Sequence, residues 1–205
     1  LGAWEAEGHR FALVGGPVEF VVAGRDLDRQ VQRLVPVLVA FVGGVLLLAF
    51  RRLAPSVVVL LTAGLALVCT LGLQGCLGWP RTSFFQVLPP LMLTVGVCYG
   101  IHVVSSYAEA LAARPRSSAR STPPDPKGPA DALSFAERER LLAATLDEVA
   151  RPAFYTALTT AAGFASFQGS GLESLVRFGT IAAFGVLAAF AATFLLLPIA
   201  LVRMP

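Results

Sequence analysis

The chain has 205 residues, of which 56% are hydrophobic and 14% charged, and a formal net charge of +3; its mean hydropathy is +0.72. Ordinary soluble domains hold about 25% charged residues, so this composition argues against a soluble fold and for a chain immersed in lipid. Short basic loops account for the positive excess, and nucleic acid is not an expected partner.

Residues 1–33 are polar and mixed. The first residue is Leu1 rather than Met, and Trp4 to Arg33 shows no signal peptide, so the sequence is expected to be a piece of a longer protein. Within this region "HRFALVGGPVEF" reads as a strand, a Gly-Gly-Pro turn and the start of a helix continuing through "AGRDLDRQVQRL". The expectation is the end of an extracytoplasmic domain followed by a linker helix.

Five apolar segments follow, at 34–50, 57–77, 84–111, 152–168 and 175–202. Each approaches the ~20 residues that a helix needs to cross a hydrocarbon core of about 30 Å. The first is short, but Arg33 and Arg51 bracket it and can snorkel to the headgroups. Between the third and fourth lies 112–151. Its part 114–130 is rich in Pro, Ser and Arg and predicts disorder, whereas 131–150 predicts a helix. On that helix Leu133, Ala136, Leu141, Ala144, Thr145 and Val149 favour one side and the Glu/Arg pairs the other. It is therefore expected to lie on the inner membrane surface and to end against Pro152, with a solvated connector helix as the alternative. The predicted fold class is an all-α membrane protein: five transmembrane helices, an interfacial amphipathic helix and a short extracytoplasmic α/β remnant.

Orientation follows from the arginines, because basic loops stay cytoplasmic. Arg51 and Arg52 separate the first two segments, and seven basic residues from Arg114 to Arg151 separate the third and fourth. The other two connections hold one each, Arg81 and Arg177. Loops 51–56 and 112–151 are thus expected in the cytoplasm, with 1–33 outside.

The third segment contains "GVCYGIHVVSSY", which sets polar groups where lipid tails are expected. His102 is the one clearly titratable group deep in any segment, and imidazole is the side chain that gains a proton near neutrality. It lies one helical turn from Cys98 on the same face, about 6 Å along at roughly 1.5 Å per residue. Two roles stay open, a proton relay and a hydrogen bond that ties two helices; the residues alone weigh toward the bond. Gly96 and Gly100 form a small-xxx-small pair, and Gly179 and Gly185 continue the pattern in the last segment, which predicts close helix packing.

Enzymatic chemistry has no visible home: there is no phosphate-cradling Gly-Lys loop, no G-x-S-x-G and no paired carboxylate within an apolar segment. A metal site is not expected, because Cys98 and His102 need at least one more ligand and the other histidine, His9, is in the external segment. Cys69, Cys76 and Cys98 are widely separated and imply no disulfide framework. No cofactor is called for.

An external "GGPV", a segment ending in "FRR", then "LPPLMLTVGVCYGIHVVSSYAEAL", an inner helix, and "TALTTAAGF" followed by "FGTIAAFG" and "LLLP" succeed one another over nearly the whole chain. In that order they resemble one membrane half of an RND-superfamily exporter of the MMPL type. The resemblance implies two such halves, each with six spans and a large external domain after the first; this chain would hold spans two to six. The same five spans coincide with the sterol-sensing domain of the Patched and Niemann-Pick relatives. Proton-coupled members carry an Asp before the Tyr of this span, where the present chain has Cys98 before Tyr99. A carboxyl in low dielectric can load and release a proton near neutrality, whereas a thiol in apolar surroundings stays neutral. The resemblance also sets the helix of Thr156, Thr159 and Thr160 beside that of His102; their hydroxyls either reach the imidazole or satisfy their own backbone.

The expected function is proton-driven export of lipid-like or hydrophobic compounds across a bacterial inner membrane, coupled through the missing half or through His102. The alternatives are a non-pumping sterol- or lipid-sensing module and a truncated product that inserts but transports nothing. Expected partners are the bilayer, a hydrophobic substrate, the other half of the transporter and, as an open possibility, a second copy of the chain.

Overall fold

The computed structural model describes residues 16–79, 83–113 and 135–203. Among them there is no strand. The elements are α1 (Gly16–Phe50), α2 (Leu53–Cys76), α3 (Leu88–Ala112), α4 (Phe135–Ala165) and α5 (Glu173–Arg203), with 3-10 turns at Ser83–Val87 and Ser166–Gly169. The predicted strand near the N-terminus and the segment 114–130 lie outside the described residues.

By length and composition, four stretches among the described residues are apolar enough to cross a membrane: Arg33–Phe50, Leu53–Cys76, Phe84–Ala112 and Glu173–Leu201. The fifth predicted span, 152–168, is the second half of α4, where Thr156, Thr159 and Thr160 dilute the apolar surface. The break expected at Pro152 is absent, and α4 runs through it for 31 residues. Proline removes one backbone hydrogen bond and crowds the preceding turn, a cost of about 3 kcal/mol in a soluble helix interior. Continuous packing on both sides of the proline opposes that cost. Leu142 and Thr145 before it, and Ala157 and Ala161 after it, are all buried. The amphipathic half packs on the bundle through Leu142, which joins Tyr107 and Leu201 in one apolar cluster.

Helix ends follow local rules. Pro89 and Pro90 open α3, where a missing N–H costs nothing and a fixed φ favours the first turn. Gly78 (φ +62) turns the chain after α2 and Gly171 (φ +70) before α5, in the left-handed region that glycine enters freely. At the α1–α2 turn the same region is occupied by Arg51 (φ +52).

Helix α5 packs against α2, α3 and α4, while α1 lies at the edge against α2. The contacts are set by small residues. A Cβ on Gly96 would come within 2.9 Å of the Ala63 Cα, and one on Gly100 within 2.5 Å of Val59 Cγ1. On α5, a Cβ at Gly185 would run into Met92 Sδ and Thr70, and one at Gly179 into the Phe164 carbonyl oxygen. Two apolar clusters flank this seam. One gathers Val59, Val103, Tyr107 and Leu197, and the other Leu88, Met92, Phe178 and Ile181.

The seam makes a stability prediction. Gly96→Ala places a methyl against backbone that cannot yield, and should lower stability by about 1–3 kcal/mol, the range of overpacked cores. Gly64→Ala, which meets nothing within 4 Å, is the control. Thermal unfolding in detergent should separate the two; equal effects would contradict the close approach of α2 and α3.

Candidate functional site

One face of α3 carries Cys98, His102, Ser106 and Glu109, spaced by three or four residues so that they form a stripe along the helix. One face of α4 carries Thr145, Glu148, Pro152 and Thr156 at the same spacing. The two stripes border a common cavity of about 730 Å³, which Tyr99 and, from α5, Phe194 also line. Hydroxyls, carboxylates, an imidazole and a thiol therefore share one space between α3 and α4.

The predicted residues divide within it. Cys98 and His102 are exposed, whereas Tyr99 is buried and meets Phe190 edge-on, with ring centroids 6.1 Å apart. Thr156 borders the cavity; Thr159 and Thr160 do not. All three threonine hydroxyls donate to their own helix: Thr156 to the Pro152 carbonyl at 3.0 Å, Thr159 to that of Tyr155 at 2.9 Å and Thr160 to that of Thr156 at 2.7 Å. Among the described residues no hydrogen bond reaches the His102 ring, so the expected tie to α4 is not made there. Gly96 and Gly100 occupy the opposite face of α3, pressed on α2.

Ser106, Glu109 and Glu148 were not singled out from the sequence, and Thr145 was read only as part of the apolar side of the inner helix. The signal on α3 was present, since positions 98, 102, 106 and 109 share a face. Glu148 had none, because it joins the cavity only if α4 passes unbroken through Pro152. Two carboxylates thus line one space although no apolar segment contains a pair. Among the described residues no group of three or more His, Cys, Asp or Glu side chains is arranged to hold a metal ion. Two sealed polar atoms without partners, Gln74 Nε2 and Thr193 Oγ1, lie away from the cavity lining.

A protein-family model described as the MMPL family matches residues 5–122, more than half of the 205-residue chain. The match takes in α1 to α3 and with them Cys98, Tyr99 and His102. No curated protein and no solved structure matches the chain.

Because His102 faces open space and Tyr99 is packed, their substitutions should separate. His102→Ala should change stability by less than about 0.5 kcal/mol, as at exposed positions. Tyr99→Ala should cost about 3 kcal/mol or more, as for other buried aromatic side chains. Thermal unfolding of the two variants checks this, and a large loss at His102 would mean that it binds a partner group after all.

Proposed function

Because the chain belongs to the MMPL family, we propose that it is one membrane half of an RND-type exporter. It would move lipid-like or hydrophobic compounds outward across the inner membrane, driven by the proton gradient. In this reading the second half of α4 is the fifth span, buttressed by α5. Loops 51–56 and 112–151 face the cytoplasm, which puts the Glu109 and Glu148 end of the cavity on that side.

The observation that carries the proton role is the position of His102 in the cavity between α3 and α4. Cys98 stands one turn deeper, at the position where the family resemblance implies an Asp. With a thiol there, the imidazole of His102 is the side chain that would carry the proton through this cavity in this reading. The carboxylates at 109 and 148 would supply it with protons from the cytoplasmic side, and water in a cavity of this volume would bridge the gaps. A sensor reading has one observation in its favour. An apolar groove of about 390 Å³ runs between α1 and the start of α3, past Leu34, Phe41 and Gln86. It suits a lipid tail without any proton coupling.

Transport assays on the full-length protein in everted vesicles distinguish the two, with a lipophilic fluorescent dye as the probe. Dye uptake should collapse with a protonophore and with His102→Asn, whose amide cannot titrate, and Cys98→Asp in the Asn background should restore part of it. Full uptake with Asn at 102 removes the relay, and the absence of any protein-dependent uptake favours the sensor. Sidedness is read separately: Ser121→Cys should label from the cytoplasm, and Ser83→Cys and Ser170→Cys from outside.

A further inference from the structure

A second cavity, about 400 Å³ in volume, opens where α1 turns into α2, beside the C-terminal part of α3 and the first turns of α4. Its lining separates by chemistry. Phe50, Leu111 and Leu201 are apolar, while Arg52 and Arg138 bring guanidinium groups from two different elements. Arg138 engages a neighbour as well, and its guanidinium carries five N–H donors in all. Tyr107, only 8% exposed, also lines this space, and its hydroxyl has no hydrogen-bond partner among the described residues. The first turn of α2 borders it too, through Ala54 and Pro55, and carries no side-chain cap. Pro55 has no N–H to offer, but those of Leu53 and Ala54 add a positive end to the site.

We infer that this cavity binds the headgroup of an anionic phospholipid, with its acyl chains lying along Phe50, Leu111 and Leu201. Two arginines and an uncapped helix start match a phosphodiester, to which guanidinium donates paired hydrogen bonds. The unpartnered phenol of Tyr107 supplies one more donor. An apolar lining next to that charge suits an amphiphile and offers nothing to a soluble phosphate. Basic pockets between membrane helices on the cytoplasmic side select acidic lipids in general. The inference rests on the membrane placement proposed above, and extends it from a transported cargo to a resident lipid that joins α1, α2, α3 and α4.

The test is lipid retention by the full-length protein in neutral detergent, read by native mass spectrometry. Phosphatidylglycerol is the probe and phosphatidylcholine the zwitterionic control. Phosphatidylglycerol should be retained in preference, and Arg52→Gln with Arg138→Gln should weaken it roughly 30-fold, the equivalent of about 1 kcal/mol for each arginine at about 1.4 kcal/mol per tenfold. Ala108→Trp fills the cavity and keeps both arginines, so it should abolish the preference even if the double variant fails to fold. Glycerol phosphate in excess should not displace the lipid. Equal retention of the two lipids, or a preference unchanged in Ala108→Trp, overturns the site; displacement by glycerol phosphate overturns the lipid as its occupant. Retention in detergent is blind to sidedness, so a failure of the orientation reading appears in the cysteine labelling and not here.

Discussion

The close approach of α2, α3 and α5 governs the rest of this bundle. Between helices in lipid there is no hydrophobic driving force, and association relies on van der Waals contact, which small residues make possible by letting backbones meet. Gly96 and Gly100 let α3 reach Ala63 and Val59 on α2, and Gly185 lets α5 reach Met92 and Thr70. With that face of α3 committed, its rotation is settled. Cys98 and His102 then point away from α2, about 200° round the helix from Gly96 and Gly100 respectively at roughly 100° per residue. The polar stripe is therefore a consequence of the glycine seam, and the cavity a consequence of the stripe.

The other wall of the cavity depends on α4 holding its course. A proline four residues beyond Glu148 is a local instruction to kink or stop. Burial of Leu142 and Thr145 on one side and Ala157 and Ala161 on the other outweighs it. Because the helix continues, Thr145, Glu148 and Thr156 fall on one face opposite His102. The threonines satisfy themselves through their own backbone. This leaves the imidazole without a bond to α4.

Much of this was legible in the sequence. Four of the five segments that hydropathy marks correspond to helices long and apolar enough to cross a membrane, the order of motifs in "LPPLMLTVGVCYGIHVVSSYAEAL" points to the MMPL family, and the spacing of Gly96 and Gly100 anticipates a packing face. What was not legible has physical causes. The segment 152–168 was expected as a separate span, but it continues the amphipathic helix as part of α4, and its hydroxyls keep that helix from standing out as apolar. The break expected at Pro152 obeyed a local rule that tertiary packing overrode. The partner of Thr156, Thr159 and Thr160 could not be decided either, because a threonine in a helix reaches its own carbonyl as easily as a neighbour. Glu109 and Glu148 escaped notice because each looks like an ordinary charge at a helix end until the two helices are set side by side.

The account turns on whether water reaches the polar stripe of α3, and the chain carries its own probes. Cys98 lines the cavity, while Cys69 is exposed on α2 among Leu65 and Val68, a surface that lipid covers in the proposed arrangement. The decisive measurement is the labelling rate of each thiol in membrane vesicles, using a charged methanethiosulfonate reagent and variants that keep a single cysteine. Cys98 should react readily from the side of loop 112–151 and Cys69 hardly at all. Equal inertness of the two would mean that the stripe is dry, and that His102 has no path by which to receive a proton.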